Sequence, residues 1–151
     1  MVGATFRGLT ERSPSRTFFG ELYARFAAPE AWRVFEDVVP TLDALAARGL
    51  KLGVISNWNE RLRPLLERLK LAGYFDTIVV SREVRASKPS RGIFKQAVRR
   101  LGLRPEAILH VGDSLPMDVR GARAAGLSAL LLQRTAGAVK AGQIKSLREL
   151  C

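Results

Sequence analysis

The chain has 151 residues, enough for one domain with its own core, and 47% of them are apolar. It contains no run long enough to cross a bilayer, no apolar signal segment and a lone Cys151, so we predict a cytoplasmic protein without an internal disulfide or a membrane partner. The charge of +11 allows an anionic partner, but 19 of the 25 basic residues are arginines spread along the chain without interleaved aromatic residues, so nucleic acid is not favoured.

The predicted elements begin with helices. Residues 15–27 form an amphipathic pattern with aromatic residues on one side, and no strand precedes it. A second helix is predicted over 38–48, ended by Gly49. A third is predicted over 60–70, where Pro64 fits only the first turn and indicates a late start.

Four short apolar runs predict strands, and most of them are continuously apolar rather than alternating. This pattern is typical of parallel strands that are covered on both faces. Helices over 90–101 and 116–125 separate the later strands, and a loop-like tail after Gln133 leads to a short helix. The alternation predicts a doubly wound α/β domain with a parallel sheet. The four runs are 50–56, 77–81, 107–112 and 128–133.

Polar residues follow three of these strands. Ser56 and Asn57 follow the first, Lys88 follows the second after a loop, and Asp113 follows the third. The carboxyl ends of parallel strands meet at one edge of a sheet, so these side chains are expected to converge. A phosphoryl-transfer site commonly contains a hydroxyl and an ammonium that bind phosphate, and a carboxylate that binds Mg²⁺.

Each of these residues also has a plain structural explanation. A serine after a strand commonly caps a turn, and a lysine before proline is commonly a solvated loop residue. Asp113 and Asp118 would both suit the start of a helix. His110, inside a buried strand, is interpreted as a satisfied core histidine, and Trp58 as a packing residue. The order of the motifs along the chain favours a phosphoryl-transfer site over these structural explanations more strongly than any single residue does.

Three segments together resemble the haloacid dehalogenase superfamily of hydrolases, in the helically capped branch of phosphatases and 2-haloacid dehalogenase-like proteins. VISNW (54–58) is similar to the second family motif, SKPSRGIF (87–94) to the third and HVGDSLPMDVRGARAAG (110–126) to the fourth. The resemblance covers about residues 32–133. It implies an α/β core of the Rossmann-like type at 36–151, and a remnant of the helical cap with its return linker at 1–35.

The resemblance also implies roles for the candidate residues. Ser56 and Asn57 would bind the transferred phosphoryl group, and Lys88 would pair with the phosphate and the nucleophile. Asp113 would bind Mg²⁺, while Asp118 would support the metal shell or orient Lys88. The implied function is a Mg²⁺-dependent phosphatase that acts on a small phosphorylated metabolite through an aspartyl intermediate, in preference to a dehalogenase.

One family feature is absent from the sequence. The family's nucleophile belongs to a DxD motif at the end of the first, central strand, but no two of the five aspartates here are separated by one residue. We therefore expect a sheet without that strand, a chain inactive alone, and an N-terminally truncated sequence or, less favoured, one completed by a second chain. The alternative is a pseudoenzyme, a non-catalytic module that binds a phosphorylated ligand or regulates a partner.

Overall fold

The computed structural model describes residues 31–135, 137–138 and 140–151. The helix predicted over 15–27 lies outside the described residues, as does most of segment 1–35, so its assignment as a cap remnant stays a prediction. The compact unit considered below spans Val34–Cys151. In the described part of the chain, none of the helices is both long and apolar enough to span a membrane.

Helices and parallel strands alternate along this unit, as the sequence predicts. The bounds differ from the predicted ones by three residues or fewer at each strand end. Single turns of 3₁₀-helix lie at Ala72–Tyr74, Pro105–Ala107 and Leu147–Leu150. The main elements are α1 (Val38–Ala47), β1 (Gly53–Ser56), α2 (Leu62–Arg68), β2 (Thr77–Val80), α3 (Ser81–Val84), α4 (Arg91–Leu101), β3 (Leu109–Gly112), a π-helical segment (Leu115–Arg120), α5 (Gly121–Ala124), β4 (Ser128–Leu132) and β5 (Gln143–Ile144).

All pairs of described strands are parallel, which confirms the α/β class. β1 pairs with β2, and β3, β4 and β5 form a second group in that order. Within the described residues β1 and β3 are not hydrogen-bonded to each other, and the expectation of a sheet without the first strand stays a prediction. β5 was not predicted, because two residues, one of them polar, leave no periodic signal.

Helix α4 is the centre of the main hydrophobic core. It begins where the Ser90 hydroxyl accepts a hydrogen bond from the backbone N–H of Gly92, and it ends at Gly102 in the left-handed region. Its Ile93 and Phe94 are fully buried against Val79 of β2. Burial of such side chains stabilises the fold by roughly 2–3 kcal/mol each. The helix thereby fixes the strands that carry the polar residues.

A second core lies around helix α2, whose Leu62 and Leu66 pack with Ile78 and Val80 of β2. Because alternate residues of β2 belong to different clusters, the strand is covered on both faces. This explains why its sequence is continuously apolar and confirms the reason for which a parallel sheet was predicted.

The C-terminal segment is hydrogen-bonded to the buried carboxylate of Asp37, the residue before α1. Oδ2 of Asp37 accepts hydrogen bonds from Arg134 Nη1 at 2.8 Å, from the Ser146 hydroxyl at 2.9 Å and from the backbone N–H of Leu147 at 2.8 Å. The bond from Arg134, opposed by burial, holds the pKa of Asp37 well below its usual range. Asp37 therefore has a structural task, the attachment of the C-terminal segment to the start of α1.

Candidate phosphate and metal site

Hydrogen bonds join three of the predicted site residues, and the other two are sequence neighbours of residues in this set. Ser56 ends β1, and the next residue, Asn57, binds the backbone of Lys88. Lys88 in turn reaches Asp118, which accepts a hydrogen bond from the backbone N–H of Ser114, the neighbour of Asp113. The structure thus brings Asn57, Lys88 and Asp118 together, while a common pocket shared with the side chains of Ser56 and Asp113 stays a prediction.

Asp118 and Lys88 form a buried ion pair. The ammonium Nζ of Lys88 lies 2.6 Å from Oδ1 of Asp118, and their side chains are 15% and 3% exposed. The same Oδ1 lies 3.1 Å from Nε2 of His110, and Oδ2 accepts from the backbone N–H of Ser114 at 3.0 Å. Burial alone would raise the pKa of Asp118, but the bonds from His110 and Lys88 hold it well below its usual range. The carboxylate therefore stays ionised and fixes the ammonium of Lys88.

This close approach of Asp118 to β3 depends on Gly112. A Cβ placed on Gly112 would lie 2.3 Å from Cγ of Asp118 and 2.6 Å from its Oδ2, far inside van der Waals contact. Gly121, which follows the π-helical segment and begins α5, lies close to Phe94, because a Cβ there would lie 2.8 Å from the Phe94 ring. Two glycines in the fourth motif thus have steric reasons for their positions.

Asn57 holds the loop that contains Lys88. Its Oδ1 accepts from the backbone N–H of Lys88 at 2.7 Å, and its Nδ2 donates to the carbonyl of Lys88 at 2.9 Å. Both ends of the amide are therefore used within the protein. The predicted contact of Asn57 with phosphate stays a prediction, and the structure shows that its side chain positions Lys88.

His110 is the residue whose importance the sequence did not indicate. Its ring packs edge-on against Phe94, with centroids 5.2 Å apart, as expected of a core histidine. The partner that satisfies its Nε2 is Asp118, and since a carboxylate only accepts, Nε2 carries the proton. The one available signal was alternation along β3, which places His110 and Gly112 on the same face.

The carboxylates of Asp113 and Asp118 differ in how available they are to a metal ion. Asp113 is exposed, and within the described residues its carboxylate makes no ion pair or hydrogen bond, so both oxygens are able to bind a cation. Asp118 accepts hydrogen bonds from three donors, an arrangement that favours the orienting of Lys88 over support of the metal shell, and both roles stay predictions. Among described side chains no group of three metal-binding residues occurs. One carboxylate, completed by substrate phosphate and water, still suits Mg²⁺.

The comparison with known proteins decides the family. The family model for haloacid dehalogenase-like hydrolases matches residues 6–126. The chain belongs to this family. The resemblance seen in the three motifs is confirmed, and the matched range contains Ser56, Lys88, Asp113 and Asp118.

Individual relatives include phosphatases. The chain is 40% identical over 116 residues to haloacid dehalogenase-like hydrolase domain-containing protein 3 of Danio rerio, covering 77% of this chain and 48% of the relative. It is 38% identical over 106 residues to the glyceraldehyde 3-phosphate phosphatase of Methanopyrus kandleri, covering 66% of this chain and 43% of that enzyme. The chain thus spans about half the length of the curated relatives it matches.

A solved structure gives the same result for the fold. The HAD phosphatase from Thermococcus onnurineus superimposes with a TM-score of 0.78 at 32% sequence identity, over 97% of this chain and 67% of that one. The α/β architecture of the haloacid dehalogenase-like hydrolases is therefore the architecture of this chain.

Proposed function

We propose that this chain forms the phosphate- and Mg²⁺-binding part of a phosphatase that acts on a small phosphorylated metabolite. The observation that carries the proposal is the buried Lys88–Asp118 ion pair, linked by hydrogen bonds to the neighbours of Ser56 and Asp113. A buried charge is costly unless it is paired, and this pair holds an ammonium where a phosphate is expected. Two phosphatases among relatives and solved structures support the same choice of chemistry.

Each residue has a distinct task in this proposal. The Lys88 ammonium donates one of its three N–H groups to Asp118, and the other two are able to bind phosphate oxygens. The Ser56 hydroxyl, which makes no hydrogen bond within the described part of the chain, donates to the same phosphate. Asp113 would hold Mg²⁺, which supplies neutralising charge for the phosphate oxygens when bound. Asp118, His110 and Asn57 position these groups.

The first prediction concerns phosphate binding. Inorganic phosphate with Mg²⁺ should raise the melting temperature of the chain, by an amount equivalent to about 2.7 kcal/mol when phosphate is present at 100 times its Kd. Asp113→Asn should remove the dependence on Mg²⁺, because an amide is a weaker ligand than a carboxylate. Ser56→Ala should weaken phosphate binding with or without the metal.

A matched control separates metal binding from loss of one surface charge. Glu106 is exposed, and Glu106→Gln changes the net charge as Asp113→Asn does. The control should keep the full effect of Mg²⁺. If both variants lose the effect of Mg²⁺ equally, the assignment of Asp113 is wrong. It is also wrong if phosphate stabilises the unmodified chain to the same extent with and without Mg²⁺.

The second prediction concerns turnover. Hydrolysis through an aspartyl intermediate needs a nucleophilic aspartate, and the sequence has no DxD motif. The 151-residue chain is therefore expected to hydrolyse p-nitrophenyl phosphate no faster than buffer with Mg²⁺, since loss of the nucleophile costs many powers of ten. Turnover that Asp113→Asn abolishes would refute this expectation.

The same property favours a second candidate function. A chain that keeps the Lys88–Asp118 pair and Asp113 but lacks the DxD pair suits a non-catalytic module that binds a phosphorylated ligand. Both candidates predict phosphate binding, so the assay that separates them is hydrolysis, measured on this chain and on any longer protein that contains it. Activity in a longer protein that contains this chain supports the phosphatase, and binding without turnover supports the module.

A further inference from the structure

An open cavity lies beside the candidate phosphate site. Its volume is about 790 Å³, and its described lining includes two arginines and no acidic residue. Asn57 is part of the wall and also binds the backbone of Lys88, so the cavity adjoins the position expected for the phosphate. The side chains that matter here are those of Asn57, Trp58, Ser81, Arg82, Arg85 and Ser87.

The positive charge of this cavity is not neutralised by its neighbours. Glu83 lies between Arg82 and Arg85 in the sequence, but both of its oxygens accept hydrogen bonds from Arg63, each at 2.8 Å. Within the described residues, neither Arg82 nor Arg85 forms an ion pair. Two exposed guanidinium groups therefore border the cavity with their charge uncompensated.

Arg85 also has an unfavourable backbone conformation. Its φ of 53° and ψ of 32° place it in the left-handed region, directly after α3, where a glycine would fit without strain. Arg85→Gly is therefore a substitution that the backbone at this position accepts.

We propose that Arg82 and Arg85 bind a second anionic group of the substrate, while Lys88 and Ser56 bind its phosphate. This inference rests on the proposed function and narrows it to small phosphate monoesters that carry a carboxylate or a second phosphate. Guanidinium groups pair with either anion through charge-assisted hydrogen bonds. The ring of Trp58 in the same wall gives the carbon chain of the substrate a surface to contact.

The test compares ligands that differ only in the second group. Binding of phosphoglycolate, 3-phosphooxypropionate and 4-phosphooxybutyrate is measured by calorimetry against ethyl, propyl and butyl phosphate, with Mg²⁺ and about 0.15 M salt to screen non-specific attraction. At the best length, the carboxylate should tighten binding on the order of tenfold. Propane-1,3-diol bisphosphate then shows whether a second phosphate is preferred over a carboxylate.

The variants separate ligand binding from folding. Arg82→Gln with Arg85→Gly should abolish the preference for the second anion, leave the Kd for inorganic phosphate unchanged, and not lower the melting temperature, since glycine suits the backbone at position 85. Arg99→Gln, which removes an exposed charge from α4, should keep the preference.

The outcomes distinguish the inference from the function on which it rests. If phosphate binds in a Lys88-dependent way but the preference is missing, or survives in the double variant, the second-anion site is wrong and the proposed function stands. If neither inorganic phosphate nor any monoester binds, both are wrong. A preference that the double variant removes and Arg99→Gln retains establishes the site.

Discussion

Replacing Lys88 with methionine is expected to lower the free energy of unfolding by about 3–5 kcal/mol at neutral pH, the usual cost of leaving a buried charge without its partner. Asp118 is 3% exposed and keeps only His110 and the backbone N–H of Ser114 as donors when the ammonium is removed. Methionine retains most of the volume of the lysine stem, so the loss reports the charge and not a cavity. Urea denaturation of both proteins measures the difference.

The pH dependence of this loss has a definite sign. In the unmodified chain the folded-state pKa of Asp118 is lowered, so its contribution to stability is present above the unfolded value of about 4 and is lost as the pH falls below it. In Lys88→Met, burial acts with less opposition and raises the pKa of Asp118. The difference between the two proteins should therefore be largest at neutral pH and shrink in acid.

Two further variants make the Lys88 prediction specific. Lys95 is an exposed lysine on α4, and Lys95→Met should change the unfolding free energy by less than about 0.5 kcal/mol. Lys88→Met combined with Asp118→Asn should be more stable than Lys88→Met alone, because the uncompensated charge is gone. A double variant as unstable as the sum of its parts would show that the ion pair is not the cause.

The sequence predicted those site residues whose role follows from the end of a strand. Ser56 ends β1 and Asp113 follows β3, and runs of apolar residues identify both places without knowledge of the fold. Lys88 was placed by its motif, since a loop and a short helix separate it from β2. Fold class was predictable for the same reason, because continuous apolar strands and intervening helices are local patterns.

Features that depend on tertiary contact were not predictable. The resemblance left two roles open for Asp118, support of the metal shell and orientation of Lys88, and only the structure shows that Lys88, His110 and the N–H of Ser114 bind its oxygens. The helix predicted over 116–125 is π-helical from Leu115 to Arg120, where the backbone N–H groups of Asp118 and Val119 both bond to the carbonyl of Ser114. Such local widening of a helix is common at functional sites and has no signature in hydrophobic periodicity.

The positively charged cavity shows the same limit. Arg82 and Arg85 looked like two members of a diffuse basic surface, because sequence does not reveal that Arg63 neutralises Glu83. The left-handed backbone of Arg85 is likewise set by the chain around it. Net charge alone therefore allows an anionic partner without indicating a place for it, and the proposed place depends on contacts that only the fold shows.

Gly112→Ala is expected to lower the free energy of unfolding by about 3 kcal/mol. It should also weaken phosphate binding, because Lys88 would lose the partner that positions it. The added methyl group would overlap Cγ, Cβ and Oδ2 of Asp118 at 2.3–2.6 Å, so the carboxylate must leave its place beside Lys88 and His110. Because the φ of Gly112 is not positive, the effect is steric and not conformational. Denaturation and phosphate titration measure the two losses.

A control glycine and a second-site change make the Gly112 prediction decisive. A Cβ on Gly73 meets nothing within 4 Å, so Gly73→Ala should leave stability and phosphate binding unchanged. If the overlap with Asp118 is the cause, Gly112→Ala should cost little more when it is added to Asp118→Ala, whose own side chain no longer reaches the methyl group. Full additivity of the two substitutions would mean that Gly112 acts through the backbone of β3. The position of Asp118, and therefore that of the Lys88 ammonium, would then not depend on this glycine.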